Sequence, residues 1–139
     1  MNRPAFFDTN VFIYADDASA PLKQARAIQL ITGYQRSGLL VVSIQVLQEY
    51  FAAATRKLGV DPETAQKKVQ LLTHARVVRF VEDDVIAAIE LHRLTRVSFW
   101  DAMIVHAARL AGTDLLYSED LQHGAILGGV RIENPFLEL

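Results

Sequence analysis

The stretch GLLVVSIQVLQEYFAAATRKLG, residues 38–59, decides how the rest of the chain is read. Leu39 to Val42 is an unbroken apolar run, as expected of a strand covered on both faces of its sheet. Ser43 then stands where a helix N-cap belongs. Val46, Leu47, Tyr50, Phe51 and Ala54 recur at helical spacing, and Gly59 stops the pattern. A strand therefore runs straight into an amphipathic helix.

Outward from this unit the alternation continues in both directions. Upstream, Ala5 to Phe7 reads as a strand. Pro21 to Gln35 reads as an amphipathic helix with Leu22, Ala25, Ile28 or Gln29, and Ile31 or Thr32 stepping along it, closed by Gly38. Downstream, Asp61-Pro62-Glu63 opens a helix with a cap followed by proline. Arg76 to Val81 is a predicted strand. Glu82-Asp83-Asp84 starts a helix running to about Arg93, with acids and base placed to suit the helix dipole. Ser98 begins another helix that ends at Gly112. Leu115 to Tyr117 is a strand, and Val130 to Ile132 a last, edge strand. Short apolar runs alternating with helical stretches specify an α/β fold. The expectation is one domain over residues 1–139, a three-layer α/β/α sandwich around a mostly parallel sheet.

Composition bounds the function. The chain has 139 residues, 51% of them hydrophobic, enough for one core without covalent staples. With no cysteine, disulfides, thiolate metal sites and thiol nucleophiles are excluded. That suits a reducing compartment, and a cytoplasmic location is expected. The opening MNRPAFFDTN has no apolar run of signal-peptide length, and no stretch approaches a membrane span. The net charge of −2 argues mildly against a nucleic-acid partner. If several acids sit in one ion-filled site, however, the remaining surface is basic. Arg56-Lys57, Lys67-Lys68, Arg76, Arg79, Arg93 and Arg96 are then candidates for phosphate contacts, against the plainer reading of solvated helix faces.

Four acids fall at informative places. Asp8 follows the first strand, and Asp120 lies just past the Leu115–Tyr117 strand. Asp101 sits in the first turn of the Ser98 helix, and Glu49 in the second turn of the Ser43 helix. Ligand sites of open α/β sheets form beyond the carboxyl ends of the strands. Like charges about 4 Å apart repel by about 4 kcal/mol at an effective dielectric near 20. Gathered acids therefore need protons or cations. Oxygen-only donors favour Mg²⁺ or Mn²⁺, and such an ion suits phosphodiester hydrolysis. Each acid also has a structural reading. Asp8-Thr9-Asn10 can be a turn or cap. Glu49 lies beside an apolar stripe. Ser98 to Asp101 has the form of a capping box, and Glu119 could take the role of Asp120. From the residues alone both readings stand open.

Other groups are less informative. His74, His92, His106 and His123 have no metal-ligand spacing, and His106 reads as packed or capped. Ser43 and Ser118 lack partners for nucleophilic catalysis. No phosphate-cradling glycine motif occurs. Asp16-Asp17 reads as a pair of loop acids. Tyr50, Trp100 and Tyr117 could stack on a base, with core packing as the alternative.

Four segments together carry a resemblance. FDTNVFIYA (7–15), VVSIQVLQEYF (41–51), SFWDAMIVHAA (98–108) and LLYSEDLQHG (115–124) resemble, in order and spacing, the motifs of PIN-domain proteins, and among them VapC-type toxins of bacterial toxin–antitoxin pairs. The resemblance implies a metal-dependent ribonuclease. Asp8, Glu49, Asp101 and Asp120 would be its metal-site acids, with Asp8 and Asp101 the most direct Mg²⁺ ligands. Ser118 would support the site by hydrogen bonding, and Asn10 would hold the Asp8 turn. It further implies RNA as substrate, an inhibiting antitoxin protein and a homodimer. Two alternatives compete. One is an aspartyl phosphatase, weakened because Asp8-Thr9-Asn10 lacks the second acid of D-x-D. The other is a non-catalytic RNA-binding or interaction module, which retention of all four acids disfavours.

Overall fold

The caps anticipated in the sequence are made in the computed structural model, which describes residues 3–139. Ser43 accepts the Val46 N–H, Asp61 the Glu63 N–H and Ser98 the Asp101 N–H, and Gly38 closes its helix at φ 73°. The elements run β1 (Ala5–Phe7), α1 (Thr9–Ala15), α2 (Pro21–Ser37), β2 (Leu40–Ser43), α3 (Ile44–Lys57), α4 (Pro62–Leu72), β3 (Arg76–Val78), α5 (Glu82–Thr95), α6 (Phe99–Leu110), β4 (Leu115–Tyr117), β5 (Ile126–Leu127) and β6 (Val130–Glu133).

The sheet order is β3-β2-β1-β4-β6-β5, parallel throughout except for the β5–β6 pair. Crossovers between parallel strands are right-handed. Stepping from β1 to β2 to β3 therefore places α1–α4 on one face. The return from β3 to β4 places α5 and α6 on the other. The packing agrees: α1 lies on α2 and α3, α3 on α4, and α5 on α6. The expected mostly parallel α/β sandwich is present. The direction of winding reverses between β1 and β4, which opens a crevice at their carboxyl ends. The core between the layers includes Phe7, whose ring meets Tyr34 and Tyr117 edge-on at 5.2 and 5.1 Å. Among the described residues no helix is long and apolar enough to cross a membrane.

Four expectations need correction, and one stretch gains an element. Residues 9–15, assigned to no element above, form α1. The strand at Arg76 stops at Val78, because the Asp84 carboxylate accepts the Val81 N–H at 2.9 Å and starts α5 there. Val130–Glu133 is not the edge: β5 pairs outside it. The buried face of α2 is Ala27, Leu30, Ile31 and Tyr34, whereas Leu22 and Ile28 face outward. On α3, Phe51 is exposed rather than part of the core face.

Candidate active site

The crevice predicted by the winding reversal is a cleft of about 550 Å³ whose lining includes Asp8, Glu49, Asp101 and Asp120. Four segments far apart in the chain thus deliver their carboxylates to one cavity. Asp8 extends β1 by one backbone bond, its N–H donating to the Tyr117 carbonyl at 3.0 Å, and it caps α1. Glu49 comes from the second turn of α3. Asp101 comes from the first turn of α6, and Asp120 from the loop after β4.

Asp8 is the most buried of the four, at 4% exposure. Its Oδ1 accepts the Thr9 N–H at 2.7 Å, and its Oδ2 accepts the Ser118 hydroxyl at 2.8 Å. Asn10 Nδ2 approaches the same Oδ2 at 3.4 Å. These donors are all neutral. Burial raises the carboxyl, the Ser118 and Thr9 bonds oppose the rise, and the charges of Asp120 and Glu49 add to it, so that Asp8 is pushed up to about 7. Asp101 is also raised, by burial first and then, against the opposing Ser98 bond, by the charges of Asp120 and Glu49. The acids are close enough to disturb one another.

The supporting donors fix these orientations. Thr9 Oγ1 donates to Glu49 Oε1 at 2.7 Å, and Gln45 Nε2 to Glu49 Oε2 at 3.2 Å, so Glu49 faces the cleft and not the core. Ser98 caps α6 through the backbone N–H of Asp101 at 3.0 Å; the reciprocal bond of a full capping box is not made. Asn10 Nδ2 donates to Asp120 Oδ2 at 3.2 Å, and Asn10 Oδ1 accepts the Glu119 N–H at 3.1 Å. Ser118, fully buried, also accepts the Asp120 N–H at 3.1 Å. Asn10 and Ser118 therefore tie the β1 and β4 loops together. Glu119 does not replace Asp120. It accepts from Tyr14 and Lys23, each at 2.6 Å, which makes it one half of an ion pair at the rim.

The donor set suits a hard divalent ion, being all oxygen and short of positive charge at its buried member. Among the described residues no three acids or histidines stand close enough together to enclose an ion as they are.

Sequence reasoning missed Thr9, Gln45, Lys23 and Tyr14. Thr9 stood in the D-T-N string, but its partner Glu49 is forty positions away. Of the basic candidates, Arg56 and Lys57 line the cleft. Lys67 pairs with Glu63 at 3.7 Å, Lys68 pairs with Asp16, and Arg76 donates to the Ala111 carbonyl at 2.7 Å. Asp16 lies in the turn after α1, as read, but as the C-cap its side chain is only 6% exposed. His106 is packed as read, between Asp84 at 3.0 Å and Arg109 at 2.8 Å. Tyr50 and Tyr117 are core residues, whereas Trp100 is exposed.

Residues 5–126 match the family model of the PIN domain. No curated protein sequence matches the chain. Solved structures share its fold at low identity. A toxin–antitoxin complex from Klebsiella pneumoniae is 18% identical with TM-score 0.68, over 95% of this chain and 98% of that one. VapC20 of Mycobacterium tuberculosis, described as a sarcin-ricin loop cleaving toxin, is 24% identical with TM-score 0.63, over 81% and 86%. DNA-bound VapBC of Salmonella typhimurium is 19% identical with TM-score 0.69, over 96% and 98%.

Proposed function

This chain belongs to the PIN-domain family, and from that premise we propose that it is a metal-dependent endoribonuclease, the toxin of a toxin–antitoxin pair. The observation that carries the proposal is the cleft, where Asp8, Glu49, Asp101 and Asp120 converge without a cationic side chain bonded to the buried Asp8. These four would hold Mg²⁺ or Mn²⁺. When bound, the ion would stabilise negative charge on the phosphoryl oxygens and make water a better nucleophile.

The chain's own residues prepare this chemistry. Ser118 and the Thr9 N–H hold Asp8 in one rotamer, and Thr9 and Gln45 hold Glu49, so the acids wait in a fixed orientation. Asn10 keeps the Asp120 loop against the β1 end. In the reaction, the oxygen of water bonds to phosphorus and the phosphorus–O3′ bond breaks. A carboxylate of the cluster accepts the water's proton, and the departing O3′ takes a proton from solvent water. The products carry 5′-phosphate and 3′-hydroxyl ends. Asp8→Asn removes the buried charge while keeping the side chain's shape. RNA cleavage in Mg²⁺ should then collapse, and a folded variant with undiminished turnover would refute the proposal.

The toxin assignment is supported by the likeness to structures described as toxins and toxin–antitoxin complexes. An inhibitory protein partner, a homodimer and action in the cytoplasm belong to the same proposal. Growth arrest on expression, relieved by the product of a small adjacent gene, is the expected outcome. Harmless expression of the wild-type chain alone would count against it.

A further inference from the structure

We propose that the cleft holds single-stranded RNA by two grips outside the acid cluster: Trp100 as a stacking platform for an unpaired base, and Arg56 with Lys57 as a clamp on a flanking phosphate. This inference rests on the ribonuclease reading and specifies how the substrate lies.

Trp100 is the single tryptophan of the chain. It is 61% exposed, although it sits on α6 directly before Asp101 and near the fully buried Ala102 and Val105. Large aromatic side chains dominate core and interface energetics when buried, so an open indole beside the acids is an available face. It is also a held one. The Phe99 ring meets it edge-on at 5.1 Å, and its carbonyl accepts Gln45 Nε2 at 3.3 Å, from the same side chain that orients Glu49. Every base offers a π-face, so such a platform grips an unpaired strand without reading its sequence. A base paired inside a helix cannot reach it.

Along α3, away from the Gln45 turn that meets the Trp100 carbonyl, the cleft lining turns basic. Glu49, Ala52, Ala53 and Arg56 recur at i, i+3, i+4 and i+7, one stripe of α3, and all four line the cleft with Lys57. The two alanines leave the floor open between acid and base. Glu49 and Arg56 are separated by about 10 Å along the helix axis, a span suited to a short run of nucleic-acid backbone. Arg56 and Lys57 are exposed and in no ion pair among the described residues, whereas Lys23, Lys67 and Lys68 are each committed to an acid. Placement at the end of α3 suits the helix dipole, but that alone does not turn them into the acid-lined cavity. A polyanion entering this cleft meets repulsion at the four carboxylates and attraction here. The backbone is thereby drawn along the α3 stripe, with a base left over Trp100.

The lone indole reports on itself. In Mg²⁺, the full-length protein is titrated with a slowly cleaved phosphorothioate single-stranded RNA ten-mer, the same ten-mer made abasic, and a blunt duplex of equal length. Saturable quenching of tryptophan fluorescence is expected from the first alone, with the abasic strand bound about tenfold more weakly. In cleavage assays Trp100→Ala should raise KM about tenfold at nearly constant kcat, and Trp100→Phe should restore most of the loss. Arg56→Gln with Lys57→Gln should raise KM and flatten the salt dependence of binding, by about 0.7 in log–log slope for each phosphate no longer neutralised. Equal quenching by the abasic strand, or an unchanged KM in folded Trp100→Ala, overturns the platform and leaves Trp100 as a face for a protein partner. Unchanged salt dependence overturns the phosphate clamp. If the wild-type protein cleaves no RNA yet is quenched by the ten-mer, the binding inference holds and the ribonuclease reading fails.

Discussion

The two ends of α1 each bury an aspartate, and the chain treats them oppositely. Asp16, at the C-terminal end where the helix dipole disfavours an anion, receives the Lys68 ammonium and the Tyr50 hydroxyl. Asp8, at the N-terminal end where the dipole favours it, receives only neutral donors and stands near other acids. A buried carboxylate with its own cation is part of the scaffold. One left without a cation, and oriented by neutral donors alone, is what the proposed metal site would need. The contrast sets two residues of identical type apart by their partners, and it supports the proposed role of Asp8.

Breaking the contrast at Asp8 should have the largest effect. Asp8→Asn is expected to lower RNA turnover by at least about a hundredfold while leaving a folded protein, as read by cleavage rate alongside circular dichroism. The same residue should govern the response to pH. Folding favours its protonated form, up to a folded pKa of about 7 against 3.8 unfolded. Its contribution to stability is therefore whole below about pH 4 and lost as pH climbs through about 7. Melting of the ion-free protein should track that loss. Asp8→Asn should flatten the curve, and Mg²⁺ should raise the melting temperature more at pH 8 than at pH 5. A wild-type curve that Asp8→Asn leaves unaltered would contradict the assignment.

At the other end of the helix, Lys68→Met strands the Asp16 carboxylate. Because the lysine side chain is 43% exposed, the cost falls short of a fully buried pair, at about 1–3 kcal/mol in urea denaturation. Turnover per folded molecule should stay within about twofold if Asp16 is scaffold alone. The smallest effect sharpens the role of the neutral donors. Ser118→Ala should cost about 1 kcal/mol of stability and about tenfold in Mg²⁺ affinity, measured by calorimetric titration. Unchanged ion affinity would remove Ser118 from the site.

Much of the fold is legible in the chain, for physical reasons. Ser43, Asp61 and Ser98 announce their helices because a cap is a local bond within two or three residues. The second helix is evident in the sequence but its inner face is not, since its buried side is chosen by distant partners such as Tyr117, whose hydroxyl lies 3.2 Å from that of Tyr34. Residues 9–15 hide α1 because Val11, Phe12 and Ile13 favour extended chain locally, and helix there depends on docking against α2 and α3. The two residues of β5 are too short a run to announce a strand, and only the Gly128-Gly129 turn hints at them; pairing with β6 defines them. At the site, the four acids are visible from their positions after strands and in helix starts. Their company is not: Thr9 to Glu49 and Asn10 to Asp120 are contacts of the fold, with no periodicity to betray them.

The β5–β6 hairpin has a consequence of another kind. Gly128 and Gly129, at φ 55° and 83°, turn the chain back so that a two-residue strand closes the side of the sheet next to β6. A longer strand left bare there would present a row of unpaired amides to its neighbours. So short a border offers little template for chains to stack edge to edge, which guards against fibrous assembly when the polypeptide is crowded.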